Sequence, residues 1–194
     1  MITVPLISEL KIQVPEHIVH NLMSIYNQLI IMDAPYQSNV NLTKMFHLQW
    51  VEDKFASKYN HTNPNDLNVV EQYALATKWL YDFPEIQILK DWISQYFNTQ
   101  FAFRLHNMRK GKGVDDPAGH SWPRIFIPII NDNVEYTIVD NNGTKHSMVY
   151  KVGKCYIWDT RLPHFVRNLD EENDRLVGVF MIKPDVETKL LEYL

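Results

Sequence analysis

Only one cysteine, Cys155, stands among the 194 residues. That excludes an intrachain disulfide and any zinc site built on cysteines. A lone thiol fits a reducing compartment, so a cytoplasmic protein is expected. An excess of charge of one sign is also missing. Lysine and arginine number 19 against 23 acidic residues, a formal net charge of −4. This balance argues against a protein that must hold nucleic acid. The one basic cluster, Arg109-Lys110 with Lys112, is short and runs into Asp115-Asp116. No apolar run approaches the ~18 residues that span a bilayer, so no membrane partner is expected. Met1 to Glu9 shows neither the cationic opening nor the apolar core of a signal peptide. Internal repeats and low-complexity tracts are absent too. What is present, 45% hydrophobic and 22% charged residues, is an ordinary globular composition. The length suits one domain, residues 1–194, around one large core.

Two kinds of periodicity divide the chain. Residues 1–100 read as mainly helical. Pro15-Glu16 opens a segment with Ile18, Leu22, Ile25 and Leu29 on one face, the spacing of an amphipathic helix. Residues 33–65 are rich in Asn, Pro, Ser and Thr and read as irregular, anchored by Leu48, Trp50 and Phe55. Asn65-Asp66 can cap a helix carrying Val69, Val70, Tyr73, Thr77 and Leu80. Pro84 suits the first turn of another, with Leu89, Ile93 and Tyr96-Phe97. From Phe101 the pattern shortens into β-branched and aromatic runs near 101–106, 124–130, 134–139, 146–150, 155–158 and 176–182. Turn signals separate them at Asn131-Asp132-Asn133, Asp140 to Gly143 and Val152-Gly153-Lys154. The expected fold is mostly β with α: a jelly-roll core over 101–183 under an N-terminal helical layer.

The residues able to carry chemistry lie in this β half. His164 follows Pro163, between two strands, where a side chain can point into a barrel mouth. His120 precedes the strand that Arg124 begins. Arg175 opens the last strand, eleven residues after His164. On a jelly roll these can converge at one open end. Imidazole suits Fe(II), and a guanidinium grips a carboxylate with two parallel hydrogen bonds. Histidines with a nearby arginine therefore suit a redox iron and an anionic cosubstrate. His106 and His146 read as ordinary strand residues, Cys155 as a small buried hydrophobe, and Trp122, Tyr156 and Trp158 as packing. Asp159 reads as a strand-end turn residue.

Residues 101–182 resemble the aspartyl/asparaginyl β-hydroxylase family, which includes proline hydroxylases. Three segments carry the likeness. Arg124-Ile-Phe-Ile-Pro-Ile-Ile is similar to the family's Arg-Ile-His-Ile-Pro strand, with Phe126 where histidine is usual. Gly153-Lys-Cys-Tyr-Ile-Trp-Asp159 is similar to its Gly-Glu strand ending in Asp. His164-Phe-Val-Arg-Asn168, followed by Asp174-Arg175-Leu176-Val177, is similar to its His-x-Val-x-Asn segment and Asp-Arg tail. The resemblance implies a double-stranded β-helix (cupin-like), with Fe(II) and 2-oxoglutarate as cofactors and oxygen as co-reactant. It implies that His164 binds iron, that Arg175 binds the 2-oxoglutarate carboxylate and that Arg124 helps set that pocket. The family's upstream His-x-Asp falls on Gly119-His120-Ser121-Trp122, with Trp122 in the carboxylate's place. Some members hold iron with two histidines alone. A second alignment brings Asp115 or Asp116 to the metal instead, and a third reading is a site that holds no iron. The implied function is hydroxylation of an amino acid, free or in a peptide. The alternative is a non-catalytic cupin-like binding module or a decayed hydroxylase.

Overall fold

A computed structural model describes residues 4–34, 37–40, 43–50, 76–116 and 122–194. Its strands are β1 (Ile7–Gln13), β2 (Gln37–Val40), β3 (Thr43–His47), β4 (Gln49–Trp50), β5 (Lys78–Trp79), β6 (Phe101–Met108), β7 (Gly113–Asp116), β8 (Arg124–Ile130), β9 (Val134–Val139), β10 (Lys145–Tyr150), β11 (Lys154–Trp158), β12 (His164–Asn168) and β13 (Arg175–Met181). The helices are α1 (Glu16–Ile31), α2 (Pro84–Tyr96) and the short α3 (Leu190–Tyr193). Seven strands form one sheet in the order β1-β11-β8-β13-β6-β3-β2, and four form another, β10-β9-β12-β7. All the pairings are antiparallel. Consecutive strands from β6 onward alternate between the two sheets or pair as hairpins. That is the double-stranded β-helix.

Period-2 alternation sorts the large sheet's side chains onto two faces. One face, with Phe103, Leu105, Ile125, Ile127, Cys155, Ile157, Leu176 and Phe180, packs against Ile18, Leu22, Ile25 and Leu29 of α1 and Leu89 and Ile93 of α2. These are the helix positions that the sequence spacing singles out. The opposite face, with Met108, Phe126, Tyr156, Trp158, Val177 and Val179, meets Val134, Tyr136, Ile138, Tyr150 and Val166 of the small sheet. This second layer is the inside of the β-helix.

Several local expectations change. β1 lies in a stretch not read as strand; its Leu10 and Ile12 are buried between exposed Glu9, Lys11 and Gln13, a short half-buried alternation. Within 33–65, β2 and β3 are strands, and β3 extends the large sheet beside β6. Sheet hydrogen bonding supplies there what local propensity does not. The helix expected to reach Leu80 does not cover its last residues: Lys78–Trp79 is a strand paired with Gln49–Trp50. Its earlier part, and Phe55, fall outside the described residues. β7 escapes notice because Gly-Val-Asp-Asp has little strand propensity; it exists through its ladder with β12. Gly113 is required in that ladder. A Cβ there would meet the Arg167 side chain at 2.5 Å and the Val166 carbonyl oxygen at 2.8 Å. Among the described residues no helix is long and apolar enough to cross a membrane.

Two predictions follow from the packing. Leu22→Ala, at a wholly buried position, should lower unfolding free energy by about 2–5 kcal/mol. Ile31→Ala, on a side chain 85% exposed, should change it by less than about 0.5 kcal/mol. Denaturant titration distinguishes them. Cys155 is fully buried, and burial pushes its thiol far above the usual range. An aromatic disulfide reagent should therefore leave the native protein unlabelled and titrate one thiol after unfolding.

Candidate functional site

The β11–β12 connection sets where His164 lies. Asp159 grips Arg161 with two hydrogen bonds, from Nε at 2.7 Å and Nη2 at 2.8 Å. The Asp159 amide donates to the Leu6 carbonyl at 2.9 Å, and the Thr160 hydroxyl to the Trp122 carbonyl at 2.7 Å. Val139 N–H closes on the Pro163 carbonyl at 2.9 Å. The chain then enters β12 with His164 as its first residue, so His164 begins a strand and does not lie between strands. Its side chain is buried on the inner face with Val166 and Asn168, while Phe165 and Arg167 alternate outward.

His164 Nδ1 lies 2.8 Å from the Leu162 carbonyl oxygen. A carbonyl only accepts, so Nδ1 carries a proton, which in the neutral ring leaves the lone pair on Nε2. This is the arrangement that orients an imidazole for metal ligation. The Trp158 ring stands beside it, centroid to centroid 5.0 Å. Tyr136 follows at 4.8 Å from Trp158. Arg175 lies over the other side of this wall, its guanidinium carbon 5.1 Å from the Tyr136 centroid.

Asn168 organises the approach to Arg175. Its Nδ2 donates to the Asn173 carbonyl at 3.0 Å, and its Oδ1 accepts from Asn131 Nδ2 at 2.8 Å and from the Asp170 amide at 3.2 Å. The loop 169–174 is thereby tied down just before Arg175 begins β13. Arg175 is 3% exposed, and its Nε has no hydrogen-bond partner among the described residues. The buried carboxylates described are Asp159, which holds Arg161, and Glu187, whose Oε2 accepts from Asn98 and Thr99. Neither serves Arg175. Burial pushes the Tyr136 hydroxyl up to about 12, against the pull of the Arg175 charge and a hydrogen bond to it. Tyr136 therefore stays a neutral phenol beside the guanidinium.

Arg124 stands on the same inner face but at the other end. It is opposite Met181 in β13 and Trp158 in β11, which places it at the His164 end. Six residue steps along β13 separate Met181 from Arg175, about 20 Å of strand. The two arginines are thus at opposite ends of one wall. Phe126, where the resembling family has histidine, packs among Tyr136, Tyr150 and Trp158. Asp115 is directed elsewhere. It is opposite Phe165, on the outward register, exposed, and paired with Arg167. The backbone of Asp116 stands opposite His164. His120 falls outside the described residues. Among the described residues no group of three His, Cys, Asp or Glu could hold a metal ion.

The groups present fit the implied cofactors in part. A buried guanidinium whose Nε has no hydrogen-bond partner among the described residues suits the carboxylate of 2-oxoglutarate, and a histidine held with Nε2 as donor atom suits a divalent metal. His106, expected as an ordinary strand residue, does lie in a strand, β6. It is buried on the same face, opposite Val177. Burial first, then the charges of Arg104, Arg175, Arg124 and His47, hold its ring well below the usual imidazole range, so it is neutral. Its alternation with Arg104 and Met108 along β6 was the available signal. His146 is the strand residue expected, half-buried on β10 and bonded to Asp140 at 3.0 Å.

No family model and no curated protein matches the sequence. Solved structures do match in shape. A Pseudomonas putida prolyl-4-hydroxylase superposes with a TM-score of 0.51 at 9% identity, covering 91% of each chain. A non-heme α-ketoglutarate-dependent epimerase from nogalamycin biosynthesis has a TM-score of 0.49 at 9% identity, over 91% of this chain and 78% of that one. An oxidoreductase of the 2OG-Fe(II) oxygenase family from Burkholderia pseudomallei has a TM-score of 0.43 at 10% identity, over 91% and 95%. The first of these likenesses establishes for this chain the double-stranded β-helix fold that the strand order shows independently.

Proposed function

We propose that this protein is an Fe(II)/2-oxoglutarate-dependent oxygenase that hydroxylates an amino acid, free or in a peptide. The observation that carries the reading is Arg175: a guanidinium buried between two sheets, its Nε unmet among the described residues, on the same inner wall as His164. An uncompensated buried charge is costly, and an anionic ligand removes that cost. The fold shared with a prolyl-4-hydroxylase supports the same reading.

In this reading His164 ligates the metal through Nε2, with His120 as its partner and Asp116 as the alternative. The outward register of Asp115 disfavours it beside Asp116. Arg175 binds the distal carboxylate of 2-oxoglutarate, and Arg124 serves the opposite end of the pocket. When bound, iron and 2-oxoglutarate supply the oxidation of a C–H bond by dioxygen, with succinate and CO₂ as co-products. The chain contributes position and dryness. Trp158 and Tyr136 form the wall between the metal ligand and the anion site, and both are 1% exposed. Leu162 fixes the His164 ring, and Asn168 fixes the loop that delivers Arg175.

Calorimetric titration of 2-oxoglutarate with Mn(II) present tests the proposal. Wild type should bind, and Arg175→Ala should lose about 2–5 kcal/mol, more than tenfold in affinity. Arg175→Lys should lose nearly as much, since lysine lacks the planar fork. His164→Ala should weaken Mn(II) binding measured without cosubstrate. No binding of 2-oxoglutarate to wild type at millimolar concentration would favour the non-catalytic module.

A further inference from the structure

His106 is a histidine that an apolar core does not account for. It lies on β6 opposite Val177 of β13 and Met45 of β3. Arg175 is two residues before Val177, so Arg175 and His106 are diagonal neighbours on adjacent strands. Such positions are about 7–8 Å apart, within reach of long side chains. Both belong to the inner face, with Met108, Val177 and Val179. Each presents a buried nitrogen with no hydrogen-bond partner among the described residues, Nε on Arg175 and Nε2 on His106. Two unmet buried nitrogens on diagonal positions of adjacent strands are a costly coincidence unless something binds both.

We infer that His106 and Arg175 together cradle the distal carboxylate of the dicarboxylate cosubstrate, with the guanidinium fork donating to both oxygens and His106 Nε2–H to a remaining lone pair on one of them. The inference rests on the reading of the interior as a 2-oxoglutarate site, and adds to it a binding residue from a different strand. The chemistry suits the place. A neutral imidazole offers one N–H donor without adding another charge beside Arg104, Arg124 and Arg175. Burial, and after it the cationic neighbours, keep the ring neutral and so preserve that division between donor and acceptor. Tyr136, under the guanidinium, closes the cradle from the small sheet. Donors from β6 and β13 would hold the carboxylate from two strands at once.

The test compares wild type with His106→Leu and His106→Gln in calorimetric titrations of 2-oxoglutarate with Mn(II) present. Glutamine keeps a donor near the place of Nε2; leucine removes it. His106→Leu should weaken binding about tenfold or more, and His106→Gln should stay within about threefold of wild type. Wild-type protein with ¹⁵N-labelled histidine provides the reading that misfolding of a variant cannot disturb. The His106 Nε2 resonance should shift on saturation with 2-oxoglutarate. Equal affinity of wild type and a folded His106→Leu, or an unmoved Nε2 resonance at saturation, overturns the role of His106 and leaves Arg175 standing. Failure of wild type to bind 2-oxoglutarate at all overturns both.

Discussion

A guanidinium between two β-sheets is the constraint on which the interior depends. Arg175 is surrounded by the layer of Met108, Tyr136, Val177 and Val179, and its charge cannot be discharged by giving up a proton. The ring face of Tyr136 meets part of that demand by cation–π attraction. The rest needs hydrogen-bond acceptors. A fold that only required a packed core would be better served by leucine or methionine at that position. The placement makes physical sense as one half of a binding interaction.

The loops do the work of placement, while the strands provide rigidity. Asp159 and Arg161 clamp the turn that delivers His164, and Leu162 sets the tautomer of its ring. Asn168 ties together the loop that delivers Arg175, reaching Asn131, Asp170 and Asn173. The spacing His164-x-Val166-x-Asn168 thus has three separate physical reasons. One residue faces the candidate metal site, one packs the inner layer, and one shapes the next connection. Behind them, α1 and α2 press on the outer face of the large sheet and keep its curvature and register.

Much of this was legible beforehand. The helices α1 and α2 follow from apolar residues at helical spacing and from Pro84 at a first turn. The strands after Phe101 follow from short β-branched and aromatic runs between turn residues. What escaped was structure owed to partners far along the chain. β7 is two aspartates after Gly-Val, and it is a strand only because β12 lies beside it. β3 depends on β6, and β1 on β11. The site divides in the same way. His164 and Arg175 stand out in the sequence only as candidates, residue types at a telling interval. The outward turn of Asp115 follows from strand parity, which cannot be read without knowing that β7 is a strand. His106 reads like any histidine in an alternating run, and the role proposed for it depends on Arg175, about seventy positions away, on the neighbouring strand.

The most direct test of the account is a crystal structure of the protein with Mn(II) and 2-oxoglutarate. The account predicts the anion inside the β-helix, one carboxylate within hydrogen-bond distance of Arg175 and the metal on His164 Nε2. An anion bound only at the surface, with Arg175 satisfied by a protein carboxylate and no metal at His164, would contradict it.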